Sequence, residues 1–332
     1  MIHLSACNAC ATWEPGCGHL VDLQIGGAPV LGPAPWRQEA EIQANAAIPM
    51  VDRRLGGTFV CAPFGQDDLD HGPPHGFAAN GRWHVIRRAP GSVVARRDLT
   101  RGAITAQIAL RDDHPVLYQT HILDLDAPCT FAHHPILSMA AGGRLSMSAV
   151  RAVLTFAAEA PVLPQGARTG TLYFDGPPSH DLRDVPVTVS EDFATVVTDQ
   201  PDLAWTALAR HAEGDTVLCL RVGRQLPVTN LWFSNGARRT APWLGRYGGR
   251  LGIEDGRNAG AEGFGAALAG RTRVGAEGVP TAFPPGRHVI PHALVHLAQP
   301  LEVRDIVIEP GHLVLSTDAG TRAVPFDEGH FA

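Results

Sequence analysis

"AITAQIALRDDHPVLYQTHILDL", residues 103–125, decides how the rest of this chain is read. On both sides of "RDDHP" apolar and polar residues alternate, which is the period of a strand with one buried face. The Asp-Asp-His-Pro segment between them has the chemistry of a turn, so the stretch predicts an antiparallel hairpin. The same pattern recurs in "TFVCAPF" (58–64), "WHVIRRA" (83–89), "SVVARRD" (92–98), "LSMSAVRAVLTFA" (145–157), "VLCLRVG" (217–223), "TNLWFSN" (229–235) and "VRDIVIEPGHLVLST" (303–317). The 36 glycines and 27 prolines cut the chain into such short runs, favouring many strands and turns over long helices. Helical patterns are confined to "DLAWTALARH" (202–211) and "GAEGFGAALAG" (260–270). No linker, repeat or charge run marks a boundary. The expectation is an all-β chain with few short helices, a single domain over 1–332 built from large packed antiparallel sheets.

Composition removes several function classes. The net charge of −6 is spread among interspersed acids and bases, which gives no electrostatic footprint for nucleic acid or an anionic membrane. All 27 basic residues are arginine, so lysine Schiff-base chemistry and the P-loop lysine are both unavailable. No apolar run approaches the roughly 20 residues of a membrane-spanning helix. The start, "MIHLSACNACATWEPGCG", lacks the basic and continuously apolar regions of a signal peptide, and the cytoplasm is the expected compartment. Six cysteines are too sparse for a disulfide framework in a chain of 332 residues. Cys7, Cys10, Cys17 and His19 offer a CxxC with two later donors, but the second half lacks the paired spacing of a zinc site, and no metal is expected.

Three clusters carry chemistry. "HGPPHGFAANGRW" (71–83) places His71 and His75 in a Gly/Pro loop with Trp83 at its end. A histidine there can meet a ligand hydroxyl while aromatics cover the apolar face of a sugar. "CTFAHHPILSM" (129–139) puts His133 and His134 on opposite faces of a strand, so only one of them looks into a given cleft. Pro135 restricts His134 to an extended or turn conformation. A histidine so held can serve as an acid or base near neutral pH. "NLWFSNGARRTAPWLGRYGGRLGIEDG" (230–256) brings Arg238, Arg239, Trp243 and Arg246 shortly before Glu254. Following the apolar "LGI", Glu254 is expected at the end of a buried strand, where partial desolvation would make it a usable base.

In this order, "EPGCGHLVDLQIGGAPVL" (14–31), "LGGTFVCAPFG" (55–65), "HGFAANGRW" (75–83), "FAHHP" (131–135) and "LGIEDG" (251–256) resemble the aldose 1-epimerase, or galactose mutarotase-like, family, nearer the branch of hexose-6-phosphate mutarotases. The resemblance reaches most of the chain except the last 70 or so residues. It implies a β-supersandwich and the interconversion of sugar anomers, with His134 as general acid, Glu254 as general base, His75 as a substrate-binding histidine and Arg54 as a weaker match to a substrate arginine. Such chemistry needs two proton transfers and no cofactor. Each positioned acid or base contributes about 10²–10⁴-fold. Trp83 and Trp243 are candidate walls of the pocket, and acid and base are expected to face each other across a sugar-sized gap.

Two departures bear on the substrate. The family's "RGG" is "RLGG" here, moving the arginine by one residue, and the arginine usual after "HGFA" is Ala79. Both weaken sugar-phosphate recognition, which leaves Arg238, Arg239 and Arg246 as a replacement anion site. The partner expected is therefore a small-molecule carbohydrate. Two other readings compete. A metal-dependent barrel built on His71, His75 and His134 lacks the usual HxH spacing, and a non-catalytic carbohydrate-binding protein would keep the same fold and cleft.

Overall fold

The hairpin read at 103–125 forms in the computed structural model, which describes residues 1–332. Strands Gly102–Leu110 and Val116–Leu125 pair antiparallel, with Leu110 opposite Leu117. They belong to a nine-stranded sheet that also contains Asp215–Val222 and Gly286–Leu297. A second, eleven-stranded sheet carries Thr58–Cys61, Phe131–Ser138, Arg250–Arg257, Val228–Ser234 and Glu191–Thr198 side by side in that order. Side chains from both sheets, such as Val60 and Phe131 from one and Ile104, Leu123 and Leu294 from the other, interleave in one apolar core. This is the antiparallel sandwich that the alternating runs predict, with few and short helices.

One segment departs from its reading. "DLAWTALARH" is a strand, Leu203–Arg210, and not a helix. The cause is burial on both faces. Leu208 points into the core between the sheets, while Trp205 and Ala207 join a second apolar cluster under the three-stranded sheet formed by Val303–Glu309, His312–Thr317 and Gly320–Pro325. A strand covered on both sides needs no polar face, so its sequence loses the alternation that separates strand from helix. The helical pattern at 260–270 does form, as a 3-10 turn Gly260–Glu262 followed by helix Phe264–Ala269.

Two of the glycines that carry the family resemblance are demanded by backbone contact. Gly57 has φ +80°, and a Cβ there would lie 2.1 Å from the Leu20 carbonyl oxygen. Gly76 has φ +70°, and a Cβ would lie 1.9 Å from the Ala62 oxygen. Only glycine allows the loop carrying His75 to lie against the Thr58–Cys61 strand, where Ala62 and Gly76 form a bridge.

Candidate active site

Neighbouring residues on two central strands face opposite ways, and this builds the site. Phe131–Ser138 pairs antiparallel with Arg250–Arg257, with Ala132 opposite Gly256 and Ile136 opposite Gly252. The same register sets His134 across from Glu254. Both point away from the space between the sheets, into a cavity of about 280 Å³ shared with His75, Trp232, Arg238 and Trp243. His134 Nε2 lies 3.0 Å from Glu254 Oε1, and both side chains are almost wholly buried. The two residues expected to act as acid and base therefore touch, a correction to the expected sugar-sized gap. The strands sit next to each other, and their side chains are long enough to close the space between them. Glu254 also lies within its strand and not at the end, since pairing continues to Arg257.

The His134 ring is clamped. Phe59 stacks on it with centroids 4.4 Å apart, and His19 stacks on the other face of Phe59 at 4.6 Å. His19 is fixed in turn by the carbonyls of Arg54 and Ala79, each 3.0 Å from a ring nitrogen. Two atoms of the central pair, His134 Nδ1 and Glu254 Oε2, are buried and have no hydrogen-bond partner in the protein. Buried polar atoms are seldom left so, and at a cavity wall such atoms mark where ligand atoms bond.

His75 adopts a left-handed conformation (φ 62°), uncommon for a residue with a side chain and held here by the loop that Gly76 closes. Burial, with the neighbouring His134 and Arg238, lowers its pKa to about 3, so it is neutral at physiological pH. The Gly65 N–H donates to its Nδ1 at 3.4 Å, which leaves the proton on Nε2 as a donor. On the opposite wall Arg238 lies 4.6 Å from the Trp243 ring and 5.4 Å from Trp232. Its Nε pairs with Glu191 Oε1 at 2.7 Å, and the Trp232 indole donates to the same oxygen at 2.6 Å. Asp52 lines the cavity too, its carboxyl pushed up to about 6 by burial against the opposing pull of Arg238.

Of the residues singled out from sequence, His75, His134, Trp243, Arg238 and Glu254 converge on this cavity. Trp83, Arg54 and Arg246 do not. Trp83 is buried edge-on against Trp13 and donates to the Ala78 carbonyl, because the loop turns inward after His75. Arg54 ends the helix Met50–Arg53 and reaches back to Glu14 Oε1 at 3.4 Å, the outcome of its displacement by one residue. Arg246 reaches the surface, where it pairs with Glu39 and covers Trp36. Arg239 is exposed, so no group of free arginines assembles at the cavity. His71 is exposed and outside it as well. Asp52 and Phe193 line the cavity and Glu191 pairs with its Arg238, all without a local sequence signal, since each is one polar or aromatic residue in an ordinary run.

The other face of the same strands is closed. Asp255 is fully buried, with Arg221 Nη1 2.9 Å from one oxygen, His292 Nε2 3.0 Å from the other, and a hydrogen bond from Thr229 at 2.6 Å. Burial alone would raise its pKa, but Arg221, His292 and Thr229 hold it below the ordinary carboxylate value. Cys219, Asp255 and His292 offer ligand atoms within 4.8 Å of one another, yet Arg221 already supplies the positive charge that a metal would bring. His19, with both ring nitrogens on backbone carbonyls, is not free to join Cys7, Cys10 and Cys17 around an ion.

Solved structures share this architecture closely. The Slr1438 protein from Synechocystis sp. PCC 6803 superposes with a TM-score of 0.63 at 14% identity over 90% of this chain and 96% of its own. The chain has the galactose mutarotase-like fold. A galactose mutarotase related enzyme from Lactobacillus acidophilus matches with a TM-score of 0.59 at 11% identity, covering 89% of this chain and 96% of its own. The GalM/aldose epimerase homologue from C. elegans matches with 0.58 at 17%, covering 89% and 98%. No family model and no curated protein matches the sequence. At these identities the likeness is one of fold, and no helix is long and apolar enough to cross a membrane.

Proposed function

We propose that this protein is an aldose 1-epimerase-like isomerase that interconverts the α and β anomers of a sugar. The observation that carries the reading is the His134–Glu254 pair, 3.0 Å apart in a cavity with a neutral histidine donor and a tryptophan wall. Anomer exchange opens a cyclic hemiacetal, lets the aldehyde rotate and closes the ring on its other face. The two oxygens that trade protons, the anomeric hydroxyl and the ring oxygen, are bonded to one carbon. An acid and a base that touch are therefore well placed to serve both. Glu254 takes the hydroxyl proton on its free Oε2 while protonated His134 delivers one to the ring oxygen from Nδ1. The remaining contact between Nε2 and Oε1 holds the two side chains in place during the transfers. Closure runs the same transfers in reverse. His75 holds a sugar hydroxyl, and Trp243 covers the C–H face.

The electrostatics favour an uncharged sugar. Arg238 is the one arginine lining the cavity, and Glu191 already neutralises it, while Glu254 and Asp52 add negative charge. A phosphorylated hexose, the substrate class of the branch the sequence most resembles, finds no unpaired guanidinium here. Six free thiols suit a reducing compartment, and we place the protein in the cytoplasm as one functional unit, acting in carbohydrate metabolism.

NMR exchange spectroscopy on freshly dissolved sugars tests the proposal. Wild-type protein accelerates exchange, and His134→Ala and Glu254→Gln abolish the acceleration. If the wild type does not accelerate exchange, the protein is a carbohydrate-binding module of the same fold; if it does and neither substitution slows it, the assignment to His134 and Glu254 falls.

A further inference from the structure

A separate cavity opens on the other face of the Glu191–Thr198 and Val228–Ser234 strands. Glu191 and Trp232 face the His134–Glu254 side, and their neighbours Asp192 and Phe233, opposite each other in the ladder, face the other way. The segment 156–190, whose strands are only two residues long, completes the enclosure. Within it Tyr173–Phe174 pairs with His180–Asp181, and Phe174 and Leu182 anchor this small ladder in the core between the sheets. Tyr173 and His180, with Asp192 and Phe233, line a space of about 380 Å³, inside the roughly 300–1,000 Å³ of small-molecule sites. It shares no lining residue with the cavity around His134 and Glu254.

Its lining is apolar with a few fixed polar groups, the usual make-up of a small-molecule site. Leu163, Leu182 and Phe233 supply buried apolar surface, while Val162 and Tyr173 stay exposed at the margin. No arginine lines it. Asp192 decides the charge it accepts. This carboxylate is 2% exposed and receives only backbone N–H groups, from Val162 at 3.1 Å and Leu163 at 3.0 Å. Asp215 and Asp255, buried to a similar degree, each hold an arginine. Asp192 holds none, and a buried charge without a counter-ion is costly. Asp181 and Asp184 line the cavity too, while their partners Arg183 and Arg144 lie outside it. A cation inside offsets the cost of the Asp192 charge, and the rings of Tyr173 and Phe233 attract it further. An anion meets three carboxylates and no counter-charge in the lining.

We infer that this cavity is a binding site for an organic cation, a primary amine carried on an aromatic or apolar body, separate from the His134–Glu254 cavity and independent of what that cavity does. Calorimetry with tryptamine, tryptophol and indole-3-acetate tests it, because the three share an indole ring and differ in the charge at the end of the side chain. Tryptamine should bind about tenfold or more tighter than tryptophol, and indole-3-acetate should bind weakest of the three. Asp192→Asn, which keeps the shape and removes the charge, should bring tryptamine down to the level of tryptophol. Ser179→Trp, at an exposed position on the rim, should abolish tryptamine binding while leaving the melting temperature and sugar exchange unaltered. Should Asp192→Asn fail to fold, Ser179→Trp decides. Glu254→Gln, in the other cavity, should leave the affinity for tryptamine unchanged. Absent tryptamine binding, equal affinity for tryptamine and tryptophol, or a preference for indole-3-acetate would overturn the site. So would tryptamine binding that survives Ser179→Trp or is lost in Glu254→Gln.

Discussion

His134 and Glu254 on one face, and His133 and Asp255 on the other, occupy neighbouring positions on the same two strands and are built from the same kinds of residue. On the inner face both oxygens of Asp255 are answered, by Arg221 and His292 from the opposing sheet and by Thr229 from the neighbouring strand, while the His133 ring stacks on His292 with neither nitrogen hydrogen-bonded. On the outer face one atom of each partner is unanswered, and the wall opposite is a loop-built cavity. Asp255 ties two sheets together, whereas Glu254 is left with bonding capacity for something else. What lies across from a residue, more than its type, separates a carboxylate paired within the protein from one with an oxygen left over.

Crossed substitutions break the comparison most directly. Glu254→Gln or His134→Ala should lower anomer exchange by about 10²–10⁴-fold. Thermal unfolding should leave Glu254→Gln close to wild type, since the amide keeps the side chain's volume, whereas His134→Ala, which vacates the ring stacked on Phe59, should lower the melting temperature. Asp255→Asn should do the reverse, costing about 3–5 kcal/mol of stability by leaving Arg221 buried without its partner. That is a large part of the roughly 5–15 kcal/mol that holds a domain folded, and chemical denaturation reads it directly. If Asp255→Asn cost nothing while Glu254→Gln unfolded the protein, the two faces would have to exchange roles.

Acid sharpens the same contrast. Burial, with nearby positive charge, lowers His75 beside the site and His121 between the sheets to about 3, and His133 well below the ordinary value. In the unfolded chain these groups titrate near 6.5. The unfolded state therefore binds more protons as pH falls below that value, and stability present at pH 7 is lost on acidification. Each histidine contributes up to about 1.4 kcal/mol per pH unit in that window. Asp52, raised to about 6, takes a proton in the folded state first and offsets one of the three between pH 6 and 4. Melting temperatures from pH 7.5 to 5 should fall steeply, and His75→Gln and His133→Leu should each flatten the slope by a similar amount. A melting temperature that rose with acid would contradict this. The smallest effect belongs to the surface. Arg246→Ala removes an exposed pair with Glu39 worth about 0–1 kcal/mol and should leave sugar exchange unaltered.

The alternation at 103–110 and the Gly/Pro punctuation were legible without coordinates, because the half-buried Gly102–Leu110 strand writes its period into the chain. Leu203–Arg210 was not, since burial on both faces erases that period. Nor were Trp83, Arg54 and Arg246, whose side chains are aimed by turns and neighbours that no local spacing encodes.

From the residues alone came the sandwich and the chemical types able to trade protons, because both depend on local periodicity and side-chain pKa. Which histidine of an adjacent pair meets a carboxylate, how near they come, and that Glu191 takes up the charge of Arg238 were settled only by register and packing. Those depend on residues tens or hundreds of positions apart, and a strand shifted by one would have turned the other pair toward the cavity.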